Sequence, residues 1–254
     1  MSWAQRRKTT YIISILFVFA IIAAIFLFFA LNRVPTCYDG IKNQNEQGID
    51  CGGPCNILCR AQYSDPAVIW GPRWAEVLSN QTYNFLTYVQ NPNIGAGVYD
   101  AMYLFKVYDK DNILLYQKTG TTYIPPNYNF VIFENNVVLN DKVPARTTFE
   151  FIGNPIWQKI ESTESVITAV TKNLLDENTK PKLLVSMKNS SIKPIENIES
   201  VAILYDENNN AIAFSRTVID RMDGDSTTDI VFTWPEKFDE KVVRIDIVSK
   251  VLPI

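Results

Sequence analysis

Histidine is absent from all 254 residues. That absence removes Ser-His-Asp and Cys-His nucleophile systems, histidine metal sites and a histidine pH switch. Cysteine is confined to Cys37, Cys51, Cys55 and Cys59, so the long remainder of the chain contains none. No P-loop, dinucleotide fingerprint or nucleophile elbow occurs. After residue 35 no stretch shows the 3.6-residue period of a helix. Nor does one sign of charge dominate: 24 Lys and Arg stand against 27 Asp and Glu, a net charge of −3, which gives no basis for a nucleic-acid partner. Carboxylate and lysine chemistry stay open, but no motif gathers such groups, and a non-enzymatic protein with no catalytic residue and no cofactor-binding motif is expected.

What the sequence does have is one long apolar run. Tyr11 to Leu31 carries no charge and consists mostly of Ile, Leu, Phe and Val. At about 1.5 Å per residue it covers the roughly 30 Å hydrocarbon core of a bilayer. Arg6, Arg7 and Lys8 precede it, whereas only Arg33 closely follows. The positive-inside rule therefore keeps residues 1–10 in the cytoplasm as a short tail, with residues 11–31 as a single transmembrane helix and the bulk of the chain extracytoplasmic. The competing reading is a cleaved signal peptide, whose apolar region is normally about 7–15 residues and ends in a small-x-small site. Here the run is longer, and Phe28, Phe29, Leu31 and Asn32 are poor neighbours for cleavage.

Residues 33–62 are short of large apolar side chains and rich in Gly, Asn, Asp and Cys, so cross-links must replace a core. Two structural disulfides among Cys37, Cys51, Cys55 and Cys59 fit that need, and sequence does not choose among the possible pairings. A zinc site is less compatible with the spacing, which lacks paired C-x-x-C knuckles. A redox site lacks the C-x-x-C that lowers a thiol pKa. In the same segment Asp39, Asn43, Asn45, Glu46 and Asp50 place oxygen ligands at close intervals. They read either as turn caps, with Gly40, Gly48, Gly52 and Gly53 supplying positive φ, or as a Ca²⁺ site.

From Ala67 the texture changes to short β-type runs separated by turn residues. One series comprises Gln81–Val89, Ala101–Tyr108, Ile113–Gln117, Tyr128–Glu134 and Thr147–Ile152. A second comprises Val166–Val170, Lys182–Lys188, Val201–Tyr205, Ala211–Ile219, Asp229–Trp234 and Val242–Val251. In the last run Val243, Ile245 and Ile247 alternate with Arg244 and Asp246, the period of a half-buried strand. The two series look like copies. Phe105-Lys106-Val107-Tyr108-Asp109 is matched by Ala202-Ile203-Leu204-Tyr205-Asp206, and Tyr88-Val89-Gln90-Asn91 by Ser186-Met187-Lys188-Asn189. The expected fold is mainly β: two tandem immunoglobulin-like β-sandwiches, over residues 63–155 and 156–254, behind the helix and the cysteine-rich module.

The patterns F-x-V-Y-D at Phe105–Asp109 and A-x-L-Y-D at Ala202–Asp206 resemble the FxLYD family of immunoglobulin-like domains. That resemblance implies bacterial envelope proteins, usually without enzymatic activity. Cys37-Tyr38-Asp39-Gly40, Asn43, Glu46, Asp50-Cys51-Gly52-Gly53 and Cys55 resemble the C-x-D-G-x-x-N-x-x-E-x-x-x-D-C-G-G-x-C module. That module recurs in extracellular proteins and in predicted bacterial surface proteins, including those of candidate-phylum lineages. Trp70, Trp74, Trp157 and Trp234 read as core or interdomain packing in preference to a carbohydrate platform. Asn80 and Asn189 head glycosylation sequons, which the bacterial look of the chain leaves without a use.

These features together lead to the expectation of a membrane-anchored binding or scaffold protein at the cell envelope, with protein or surface-polymer partners. The alternative is an accessory subunit of a secretion, pilus or division machine that assembles through its helix. Ala20 and Ala24 are the small-residue pair such a helix would offer.

Overall fold

The structure is a computed structural model that describes residues 3–31, 34–78, 81–140, 142–161 and 166–253. Arg33, which flanks the apolar run, and Asn80 of the first sequon lie outside the described residues. The chain divides into two compact units, Met1–Cys55 and Asn56–Ile254.

In the first unit, helix α1 spans Trp3–Leu31 and begins eight residues before the expected Tyr11. Its extension carries the basic cluster at its N-terminal end. The segment Arg7–Phe29 is apolar enough to cross a membrane, and none of its surface is buried by the protein. After it the chain makes turns closed by local hydrogen bonds, such as Glu46 N–H to Asn43 O (2.8 Å) and Cys55 N–H to Gly52 O (3.1 Å).

Among its described residues the second unit is mainly β, with a 3₁₀ turn at Arg60–Gln62. Its first sandwich contains β1 (Ala67–Leu78), β2 (Thr82–Asn91), β3 (Ala96–Tyr108), β4 (Leu114–Ile124), β5 (Tyr128–Val138), β6 (Arg146–Phe151) and the short β7 (Gln158–Lys159). One sheet has the order β1-β2-β5, the other β4-β3-β6, and β7 pairs with the start of β3. The second sandwich contains β8 (Ile167–Leu175), β9 (Lys182–Asn189), β10 (Ile195–Tyr205), β11 (Ala211–Met222), β12 (Thr227–Thr233) and β13 (Arg244–Val251). Its sheets have the orders β12-β9-β8 and β11-β10-β13. Strand for strand, β8 to β13 repeat β1 to β6. Two strands escape the sequence reading: β1, interrupted by Gly71 and Pro72 and by register shifts, and the two-residue β7.

The expected boundary between residues 155 and 156 falls later. Trp157 is 1% exposed in the core of the first sandwich, and Ile160 N–H donates to Gly95 O (3.0 Å). Residues 56–64 also belong with that sandwich. Tyr63 stacks on Trp157 at 4.7 Å, and Leu58 N–H donates to Trp157 O. The module expected over 33–62 is therefore shared between the two units.

Side-chain alternation builds three cores from four sheets. Phe85, Val89, Phe130 and Ile132 point toward β3 and fill the first sandwich. Leu183, Val185, Met187, Ala202 and Leu204 fill the second. The residues between them in sequence form a third core: Leu86, Val131 and Phe133 pack against Val201, Ile203, Tyr205, Phe214 and Val248. The β1-β2-β5 sheet of one sandwich is thus stacked on the β11-β10-β13 sheet of the other. Burial on both faces explains why β5 and β10 read as near-continuous apolar runs and not as alternating ones.

Candidate functional site: the cysteine module and the cleft between the sandwiches

The cysteine module is held by covalent bonds and by its own carboxylates. Cys37 and Cys55 are joined, with Cα atoms 5.6 Å apart. Cys51 and Cys59 are also disulfide-bonded, so no cysteine is free and the zinc and dithiol readings fall: an oxidised pair offers no thiolate. Asp39 Oδ1 accepts from Ile41 N–H (2.9 Å), and Oδ2 accepts from Asn43 Nδ2 (2.8 Å). Asp50 accepts from the backbone N–H groups of Asp39 (3.0 Å) and Gly40 (2.9 Å). Glu46 is buried, with Oε2 accepting from Asn43 and Asp50 N–H and Oε1 lying 3.2 Å from Cys55 Sγ. Each carboxylate of the Asp39, Asn43, Asn45, Glu46 and Asp50 set thus caps a turn. Asn45 takes part through its backbone, at φ 65°. Its carbonyl oxygen would lie 2.3 Å from a Cβ on Gly53, which is why glycine is required there. Gly40, Gly52 and Gly53 have positive φ as expected, whereas Gly48 instead bridges to Cys51.

The duplicated motif forms one device twice. Tyr108 lies opposite Arg146 across β3 and β6, with the guanidinium 4.1 Å above the ring, and Tyr205 lies opposite Arg244 across β10 and β13, at 3.7 Å. Each arginine also donates to an asparagine of the turn after Tyr-Asp, Asn112 or Asn209. Both asparagines have positive φ, 59° and 64°. Asp109 Oδ1 accepts from the N–H groups of Asp111 and Ile113, and Asp206 Oδ1 from that of Asn210. Burial works against the charge of Asp206, but hydrogen bonds from the Asn210 side chain and backbone outweigh it and hold the carboxyl below its ordinary range.

Asn91 and Asn189 are a second repeated device, buried at the ends of β2 and β9. Asn91 Nδ2 donates to Ala96 O (2.7 Å) and Pro125 O (2.8 Å), and Asn189 Nδ2 to Lys193 O (2.9 Å) and Asp223 O (3.0 Å). Each ties the end of one strand to the connections leading into and out of the opposite sheet. Within the first sandwich, buried Glu134 accepts from Tyr103 Oη (2.5 Å) and pairs with Lys118. Burial and that carboxylate push the Tyr103 hydroxyl far above the ordinary tyrosine range, so it serves as a fixed donor.

Trp157 and Trp234 are core residues, and Trp70 stacks on Tyr88 beside the third core. Trp74 is half-buried and borders a cleft of about 530 Å³ where the two sandwiches meet. One wall is the run Trp74–Leu78 of β1, the other Ala211–Ala213 of β11 with residues 236–240. Sequence reasoning missed this cleft, because the residues that line it are brought together only by the stacking of the sandwiches.

No protein-family model and no curated protein matches the chain. Among solved structures, red sea bream transglutaminase aligns at 12% identity and TM-score 0.22, over 72% of this chain and 31% of its own. A β-glucuronidase of glycoside hydrolase family 2 aligns at 9% identity and TM-score 0.19, over 88% of this chain and 26% of its own. The chain spans less than a third of either neighbour, and at these scores neither likeness bears on its chemistry.

Proposed function

We propose that this chain is a membrane-anchored, non-enzymatic binding or scaffold protein of the cell envelope, its N-terminal tail cytoplasmic and its β-sandwiches outside, related to the FxLYD domains. The observation that carries this reading is the apolar segment Arg7–Phe29, which no part of the protein covers. Such a surface requires a bilayer or a partner. Oxidised cysteines fit the non-cytoplasmic side of a membrane. The test is to replace Tyr11–Leu31 with an unrelated transmembrane span and recover cross-linked partners from intact cells. Retained partners support the reading. Their loss transfers the function to the helix and to assembly of an envelope machine.

A further inference from the structure

We infer that the cleft between the sandwiches binds an extended, basic segment of a partner protein by strand addition to β1; this rests on the reading above and names its site. The first reason is backbone geometry. Five consecutive residues, Trp74 to Leu78, line the cleft. Among them Trp74, Ala75 and Glu76 pair with β2 in unbroken register, so their side chains alternate between the faces, and it is the strand's edge that forms this wall. β1 is the outer strand of its sheet, and β11 on the other wall is the outer strand of its own. Unpaired backbone groups of an edge strand are a template for an added strand.

The second reason is charge. The cleft is lined by Glu76, Glu236, Asp239 and Glu240 against Lys237 alone, whereas the whole chain is nearly balanced at 27 acidic and 24 basic residues. Walls of low dielectric constant concentrate such a field. The four carboxylate-bearing residues are solvent-exposed, so a guanidinium or ammonium can reach them. The Asp206 carboxyl beside it pushes the Glu240 carboxyl above its ordinary range, a crowding of two acids that a cation would relieve. The third reason is the half-buried Phe238, held edge-on to Trp234 at 5.3 Å, which with Trp74 gives the cleft aromatic surface for the stems and heads of long cationic side chains.

The experiment uses the full chain in nanodiscs of zwitterionic lipid, titrated with a synthetic peptide of alternating lysine and valine. Saturable one-to-one binding is expected, weakened at least tenfold in the triple variant Glu236→Gln, Asp239→Asn, Glu240→Gln. The control variant Glu177→Gln, Asp220→Asn, neutralised outside the cleft, should bind as the original does. A peptide N-methylated at alternate residues should lose binding at unchanged charge. Equal weakening in both variants, full binding by the N-methylated peptide, or no saturable binding overturns the inference. The helix-replacement experiment is independent of this result, so failure here removes the cleft and leaves the anchored-scaffold reading standing.

Discussion

At the scale of the residue, much of the chain's polar chemistry is spent on turns and strand ends. Asn91 and Asn189 are almost wholly enclosed, at 1% and 0% exposure, and each amide satisfies carbonyls that have no water to turn to. Asn91→Ala and Asn189→Ala should each cost about 2–3 kcal/mol, the penalty for orphaned buried groups added to lost packing. Because the two sites do the same work, their losses should be similar, which denaturant melts of the two variants would measure. A loss at one site alone would mean the repeat is one of shape only. Both asparagines were legible in the sequence as matched positions. Their partners were not, because a carbonyl acceptor has no sequence signature.

At the scale of the element, the module and the strands rest on different forces. The Cys37–Cys55 bridge closes a loop with a sequence separation of 18, which in chain-entropy terms is worth about 3 kcal/mol. Residues 34–55 have few buried side chains, Glu46 and Cys55 among them, so reduction removes most of what orders this segment. Treatment with a reductant should abolish amide protection over residues 37–55, followed by hydrogen exchange. Protection of β2, β3, β9 and β10 should persist, since their cores contain no cysteine. Parallel loss in the strands would show that the sandwiches depend on the module. The alternation of β13 was readable in advance; the course of β1 was not, because Pro72 and Gly71 break the pattern while pairing to β2 holds the strand together across them.

At the scale of the molecule, the same strand positions carry opposite chemistry according to what they face. In the stacked sheets Leu86, Phe133, Val201 and Ile203 are apolar. At matching positions on the outer faces, Lys106 stands in the place of Ile203, and Asp229 and Ser186 stand in the places of Val131 and Tyr88. Ile203 is fully buried in the shared core, and Ile203→Ala should cost about 2–5 kcal/mol. Ile203→Lys should uncouple the sandwiches, giving two calorimetric transitions in place of one; a single shifted transition would mean the third core is not what joins them.

The interface also contains one buried ion pair, Lys250 with Glu199, and the ammonium donates to Thr122 Oγ1 at 3.1 Å in the other sandwich. Burial depresses the Lys250 pKa; Glu199 opposes that shift and Arg216 adds to it. With the folded pKa below the unfolded value of 10.5, the unfolded chain binds more protons between the two, and stability rises with pH across that window. The original chain should thus gain on the double variant Glu199→Gln, Lys250→Met as pH climbs from neutral toward 10.5, measured by urea melts at each pH. A constant difference would mean that burial does not lower the Lys250 pKa in the folded state.

Legible in the amino-acid sequence are the apolar helix, the confinement of cysteine to one oxidisable module, the β class and the twofold repeat. These follow from composition, run length and local periodicity, which act within a few neighbouring residues. The face-to-face stacking of the two copies, the place of Trp157 in the first sandwich, and the cleft bounded by two strand edges and an acidic loop arise only once the chain is folded. Those outcomes depend on which apolar face meets which, and a strand apolar on both sides does not say in sequence what its second face will touch.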